Sequence, residues 1–330
     1  MKITVLHYLE KDREATHDSV VDGVARALKA GKHKVSLLGA HGDMVRLRSG
    51  LLRRKPDLVF NLMDTFGDGQ LGAVGLVGFL DLLGVPYTGG GPGEFYIQED
   101  KALTKKLLAF DHIRYPEFAV FSPDADLETA GRLRMPLFVK PLRMDASIGV
   151  SARSLVHNTQ QMIERVAYIH KHVHDSALVE EYIEGREFYV GVLGNQEPQA
   201  FPPIEMDFTG FPEGEPHVLD AKAKWDEKSK EYKGTKAVTA DLPDELRGRL
   251  QKTAVDAYRA LRVRDYGRID MRLTEAGEVY VIEVNASCYL DPNGEFAAAA
   301  AAGGVDCTTL INRIADLAFA RNNAHRRRCA

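Results

Sequence analysis

The sequence predicts an α/β protein, α+β overall, and three observations carry that prediction. Through residues 2–88, apolar β-branched runs alternate with helical periodicities, the pattern of a parallel sheet with helical crossovers. Further on, short strands follow one another closely and end in residues 267–288, GRIDMRLTEAGEVYVIEVNASC, which read as two alternating strands around a turn. At 330 residues the chain is also long for a single core, so two or three domains are expected.

Composition narrows the class. Hydrophobic residues at 45% and charged residues at 27% are those of an ordinary soluble globular protein, with nothing to predict disorder. A net charge of -4 argues against an extended nucleic-acid surface, which needs a basic stripe; the one basic run, residues 326–328, reads as a solvated tail. The cysteines Cys288, Cys307 and Cys329 are odd in number and widely spaced, which fits a reducing compartment and no zinc pattern. The opening apolar run is too short for a signal peptide and is broken by Glu10, and no run reaches membrane-spanning length. A cytoplasmic protein is expected, with no nucleic-acid or membrane partner.

Residues 2–9 predict a first strand, and residues 19–30 a helix that stops at Gly31. Strands at 35–38 and 57–63 flank a helix around 43–54; a helix over 71–83 and a strand over 85–88 follow. Ligands gather at the carboxyl ends of such strands, which singles out the loops after Leu9 and after Met63. The second loop, DTFGDGQLG, either lets the backbone approach a ligand or simply connects. Residues 87–93, YTGGGPG, are a composition break taken as the first domain boundary. Asp100 caps a helix whose first residue, Lys101, opposes the helix dipole, so it points at an anion or is solvated.

Strands at 118–121 and 137–140 come next, the second ending in Lys140 before the loop LRMDASIGVS. Backbone N–H groups near Ser147 and Gly149 could lie over phosphates beside that lysine, or the loop could be a hairpin turn; the spacing is not that of a Walker loop. A helix over 158–170 precedes the strand ALVEEYI, in which Glu180 and Glu181 point to opposite faces and one is expected to face solvent. Glu187 heads the following strand. Residues 217–235 are charged without an apolar period, a flexible or ligand-ordered segment or a solvated face. Residues 246–261 form an amphipathic helix, and the Ala-rich 296–302 a closely packed one.

The hairpin at 267–288 carries the densest chemistry. With a four-residue loop at 274–277, Leu273 faces Glu278, Arg268 faces Glu283 and Asp270 faces Val281. Arg268, Asp270, Glu283 and Asn285 then share one face, and Ile269, Met271, Tyr280 and Ile282 the other. Two carboxylates and an amide oxygen are a donor set for a hard cation such as Mg2+. A plain cross-strand salt bridge between Arg268 and Glu283 is the alternative.

Five segments in order, DKALTKKLL, FVKPLRMDASIGVS, LVEEYIEGREFYVGVLGN, DAKAKWDEKSKEY and GRIDMRLTEAGEVYVIEVN, resemble the ATP-grasp ligases and within them the D-alanine--D-alanine ligase family. The resemblance runs from about residue 57 to 317. It implies an ATP-grasp fold: a Rossmann-like parallel-sheet domain over 1–93 that binds substrate, a central ATP-grasp subdomain over 94–179, and a C-terminal ATP-grasp subdomain with the metal site over 180–330. It implies that Lys101 and Lys140 hold the α and β phosphates of ATP, with the backbone of Ser147, Ile148 and Gly149 closing over them. Glu180 would accept from the adenine amino group, the backbone of Glu181 and Ile183 would pair with the ring, Tyr182 would line the pocket, and Glu187 would hold the ribose hydroxyls. Lys224 would reach the γ-phosphate, with Trp225 where the family usually has Tyr. Asp270, Glu283 and Asn285 would ligate two Mg2+ ions, with Mn2+ as an alternative, and Arg268 would stabilise the charged intermediate. The catalytic set is then Arg268, Lys224 and Ser147, and Cys288 is not needed as a nucleophile. Family members are often homodimers through the N-terminal domain.

The implied reaction is ATP-dependent amide formation between a carboxylate and an amine, amino acids or other small molecules, through an acyl phosphate. Four departures all touch the substrate side. The family's N-terminal signature is absent, leaving Glu10 or Glu14 as candidates for the first substrate's ammonium. A second loop survives only as MDTFGDG, with Asp64 near the expected His and no Glu before Asp68. The turn after Asn285 reads ASCYLDPNGEF, and Ala146 replaces a serine. A ligase of the same fold joining other amino acids or amines is therefore a second expectation, and an ATP-binding regulatory protein without ligase activity a third, which the retained Lys140, Lys224, Arg268, Asp270, Glu283 and Asn285 argue against.

Overall fold

A computed structural model describes residues 1–9, 18–123, 133–145, 147–212, 217–226 and 228–329. Glu10, Glu14 and Ala146 lie outside them. The first strand and helix, β1 (Lys2–Tyr8) and α1 (Ser19–Ala30), are followed by β2 (Lys34–Ala40), α2 (Met44–Arg54), β3 (Leu58–Asn61) and α3 (Gly72–Leu82). The three strands form a parallel sheet in the order β2-β1-β3, as the alternation of periods requires. Asp18 and Asp43 cap α1 and α2 by accepting from Val20 N and Val45 N. The strand expected over 85–88 is reduced to a single bridge between Val59 and Tyr87.

The Gly/Pro-rich run does not stay a loop. Pro92 takes the first position of α4 (Pro92–Glu99), where its missing N–H costs nothing, and Glu94 accepts from Gly91 N at 2.9 Å to close the turn. Then come α5 (Lys101–Phe110), β4 (Phe118–Phe121), β5 (Leu137–Pro141), β6 (Leu155–Val156), α6 (Thr159–Tyr168) and β7 (Ala177–Glu181). Their strands make an antiparallel sheet ordered β4-β7-β5-β6.

The last part holds β8 (Arg186–Leu193), β9 (Gln199–Ala200), β10 (Ile204–Asp207), α7 (Ala221–Trp225), α8 (Lys230–Lys233), β11 (Lys236–Thr239), α9 (Asp244–Ala260), β12 (Tyr266–Leu273), β13 (Val279–Asn285), α10 (Glu295–Ala302) and α11 (Cys307–Cys329). The charged stretch 217–235 thus contains two short helices, capped by Asp220 and Ser229. The third sheet runs β11-β10-β8-β12-β13, with β9 on β8. One face of its centre, Phe188, Val190, Ile269, Met271 and Val281, is buried with Leu250, Ala254 and Ala257 of α9. The opposite face is left to carry the polar residues of a site. Among the described residues no helix is long and apolar enough to cross a membrane.

Helix α11 returns to the first sheet and buries Ile311, Ile314, Ala315 and Ala318 in one cluster with Val20, Val24 and Leu28 of α1. Beside that contact, fully buried Asp265 takes two hydrogen bonds from Arg321, at 3.0 and 2.8 Å, and others from Gly89 N and Asn195. This carboxylate ties the start of β12 to the first sheet and to the C-terminal helix. Arg321→Met removes the charge partner of a buried anion and is expected to destabilise the chain by about 3 kcal/mol, the low end for such a loss because the neutral donors remain. A shift in the urea unfolding midpoint measures it, and an unchanged midpoint would contradict the role given to Asp265.

Candidate active site

A cleft of about 900 Å3 lies between the second and third sheets. Local register builds its floor. Leu273 pairs with Val279, so the turn contains residues 274–278 rather than four, and Asp270 pairs directly with Glu283 while Met271 pairs with Val281. Ile282 is the extra residue of a β-bulge, which resets the alternation of β13. The expected pairings of Arg268 with Glu283 and Asp270 with Val281 are therefore wrong; Arg268 stands opposite Asn285. The shared face survives because of the bulge: Arg268, Asp270, Glu283 and Asn285 all line the cleft. The other face does not match the expectation. Val279, Val281 and Val284 join Ile269 and Met271 in the core, whereas Ile282 turns to the cleft.

Every charge on this floor is partnered. Arg268 donates to both oxygens of Asp270, at 2.7 and 2.9 Å, lies 3.3 Å from Glu295, and stacks over the Tyr189 ring at 5.0 Å. Asn285 Nδ2 donates to Asp270 Oδ2 at 3.3 Å, which leaves its amide oxygen as an acceptor. Burial, with Glu283 facing it, holds Asp270 up at about 6 against the pull of Arg268. Burial acts on Glu283 in the same direction, but Lys101, Lys140, Lys224 and Arg268 outweigh it and bring that carboxyl down to about 2. Asp270, Glu283 and Asn285 thus offer oxygen donors from two directly paired residues and a neighbour, which fits a hard divalent cation. Among the described residues no three His, Cys, Asp or Glu side chains converge on one point, so a metal here would complete its shell from phosphate or water.

Lys101, at the first position of α5, donates to Met144 O at 2.8 Å and Asp145 at 2.9 Å and lies 3.6 Å from Glu283. Lys140 is the penultimate residue of β5 and Glu180 lies on β7; the Glu180 carboxylate meets Lys140 at 2.7 Å and Lys105 at 2.9 Å. Burial opposes the charge on Glu180, yet the two lysines hold its carboxyl below the usual range, while burial lowers Lys105 itself. Glu181 faces the other way and accepts from Arg134 N, Nε and Nη2 at 2.9–3.1 Å. Its own N–H donates to Glu117 O, and Tyr182 N–H to Pro136 O. Ser147 and Gly149 both have positive φ, 61° and 70°, and Ser147 Oγ donates to Leu219 O at 2.8 Å, linking the loop to the segment before α7. Lys224 on α7 lines the same cleft, and Trp225 ends that helix.

Glu187 accepts from Arg272 at 2.6 Å and from the Tyr189 hydroxyl at 2.6 Å. Residues that sequence reasoning missed are partners of ones it found: Lys105, Asp145, Tyr189, Arg272 and Glu295. Arg272 and Tyr189 had a local signal, lying two residues beyond Asp270 and Glu187 and so on the same strand faces. At the far end of the cleft stand Asp64, Tyr289, Asp291 and Asn293, and the Tyr289 hydroxyl donates to Asp18 at 2.5 Å, joining the loop after β13 to the cap of α1. Burial pushes the Cys288 thiol up to about 12, which removes it as a nucleophile near neutral pH.

The relatives of this chain bear on what the cleft does. In fold it is similar to the D-alanine--D-alanine ligase of Bacillus anthracis solved in complex with ATP, with a TM-score of 0.77 over 98% of this chain and 99% of that one at 21% identity, a likeness that shows the ATP-grasp fold. Residues 107–316 match the family described as D-ala D-ala ligase C-terminus. The D-alanine--D-alanine ligase of Desulfotalea psychrophila is 30% identical over 91% of this chain and 89% of its own length, and that of Desulforudis audaxviator 32% identical over 77% and 79%. An uncharacterized protein of Sinorhizobium fredii is 32% identical over 92% of this chain and 88% of its own. The chain belongs to the D-alanine--D-alanine ligase family of ATP-dependent carbon–nitrogen ligases.

One titration near the cleft gives a direct check on its electrostatics. Burial, then Asp145, push Glu99 at the end of α4 up to about 7, against Lys101. A carboxyl raised on folding stabilises at low pH, and that contribution is lost as pH rises through about 7. In metal-free buffer, Glu99→Gln is therefore expected to melt above the native chain at pH 8 and with it at pH 4. Equal melting temperatures at both pH values would contradict this.

Proposed function

We propose that the cleft joins a carboxylate to an amine through an acyl phosphate, as a ligase of the D-alanine--D-alanine type. The observation that carries the proposal is the convergence of Lys101, Lys140 and Lys224 with the paired Asp270 and Glu283 in one cleft. A carboxylate is a poor electrophile, and phosphoryl transfer to it is chiefly a matter of position and charge neutralisation. In this reading Lys101 and Lys140 hold the α and β phosphates, with the loop at Ser147–Gly149 over them, and Lys224 draws negative charge from the γ-phosphate. Bound at Asp270, Glu283 and Asn285, Mg2+ would supply further neutralisation of the phosphate charge.

A substrate carboxylate oxygen attacks the γ-phosphorus and ADP leaves. The amine then attacks the carbonyl carbon, phosphate leaves, and the amine's proton passes to solvent or a neighbouring base. Arg268, fixed by Asp270, faces the charge that develops on the acyl oxygen. Glu187 holds the ribose hydroxyls, and Tyr182 and Ile183 border the adenine. Glu180 is the exception to the roles set out from sequence: a carboxylate already holding Lys105 and Lys140 supports the phosphate-binding lysine as well as offering a lone pair to the adenine amino group.

The identity of the two substrates depends on the far end of the cleft. Asp64, Tyr289, Asp291 and Asn293 there favour, as a second reading, the joining of amino acids or amines other than two D-alanines, because polar groups that a substrate must satisfy set specificity. Phosphate release across a panel of D- and L-amino acids and simple amines separates the readings: stimulation by D-alanine alone supports the first, by another pair the second. Release stimulated by none of them would contradict the ligase reading. Asp270→Asn and Glu283→Gln are each expected to abolish ADP formation with Mg2+ supplied, and full activity in either would remove the metal assignment.

A further inference from the structure

Arg272 has no part in the reaction as set out above, yet it is among the most engaged side chains in the cleft. It lies two residues beyond Asp270 on the same face of β12 as Arg268 and Asp270, and only 8% of it is exposed. Its Nη2 donates to Glu187 Oε2 at 2.6 Å and to the His217 carbonyl at 3.2 Å. Its Nη1 donates to the Tyr182 hydroxyl at 3.1 Å and lies 3.5 Å from the carbonyls of Ile183 and Gly185, while the guanidinium stacks 5.2 Å from the Tyr182 ring centre. Gly185, at φ 148°, gives this turn a backbone that other residues rarely adopt, and a Cβ there would strike Leu273 O.

The consequence falls on Glu187. Its Oε2 is taken by Arg272 and its Oε1 by the Tyr189 hydroxyl, each at 2.6 Å, so the carboxylate is held at both oxygens in one orientation. A carboxylate oxygen has two lone-pair directions, and one on each is left for a pair of hydroxyls. Arg suits this task better than Lys because its planar fork serves several acceptors in fixed directions.

We propose that Arg272 is a positioning residue for the nucleoside: by fixing Glu187 it sets recognition of the ribose diol, and through Tyr182 and His217 it ties the turn at 182–185 to the segment entering α7. This rests on the reading in which Glu187 holds the ribose hydroxyls. An Arg272 that served packing alone would weaken all nucleotides equally.

Calorimetric binding of ADP and 2′,3′-dideoxy-ADP, with Mg2+ present, tests this without any knowledge of the acceptor. The native chain is expected to prefer ADP by about tenfold or more, as sites built to hydrogen-bond a hydroxyl do. That preference should collapse towards one in both Arg272→Met and Glu187→Gln and fall to an intermediate value in Arg272→Lys, which keeps the charge and carries the test should the Met variant fail to fold by circular dichroism. An unchanged preference in the Arg272 variants, with a collapsed one in Glu187→Gln, would overturn the role of Arg272 and leave the ribose reading standing. An unchanged preference in Glu187→Gln as well would overturn both.

Discussion

Two carboxylates face each other across neighbouring strands at Asp270 and Glu283, and the site is arranged around that repulsion. Like charges directly opposite destabilise a sheet. Here they are tolerated because Arg268 forks onto Asp270 while Lys101 lies 3.6 Å from Glu283. The outcome is a split titration, one carboxyl raised to about 6 and the other lowered to about 2. A divalent cation placed between them would relieve the same repulsion, which is the physical ground for proposing a metal there.

The surrounding cations follow the same logic. Lys101 and Lys140, proposed to hold phosphates, are not bare charges; each is held by a carboxylate, Asp145 and Glu180 respectively. Such pairing fixes the ammonium groups before a ligand arrives and lowers the ordering left to do on binding. Behind the cleft wall, Lys105 meets Glu180 Oε2 while Lys140 meets Oε1, so the arrangement extends one residue beyond the lining. The frame that keeps the sheets in place is also electrostatic, since Asp265 binds the first sheet, β12 and α11 at a single buried carboxylate.

Much of this was legible in sequence. Periodicity located α1 and α2 almost to the residue, and Gly31 marked the end of the first. The hairpin's carboxylates were found by alternation, but their pairing was not, because a bulge at Ile282 depends on the turn taking five residues and on the neighbouring strand, neither of which leaves a local mark. Helix α4 was hidden by its own glycines and proline, which mark a loop until Pro92 is recognised as a helix start. Lys105, Asp145 and Glu295 were missed because they act on partners tens to scores of residues away, Glu180, Lys101 and Arg268. The loop at 286–296 resembles no signature, and the structure adds its position at the far end of the cleft.

In the proposed reaction the γ-phosphoryl group passes to a carboxylate before the amide forms. Its most direct measurement uses the carboxylate substrate identified by phosphate release, labelled with 18O in both carboxyl oxygens. The phosphate produced is read by 31P NMR alongside the nucleotide product. One 18O in each released phosphate, with ADP, is the result expected of an acyl phosphate. Unlabelled phosphate, or AMP in place of ADP, would contradict it.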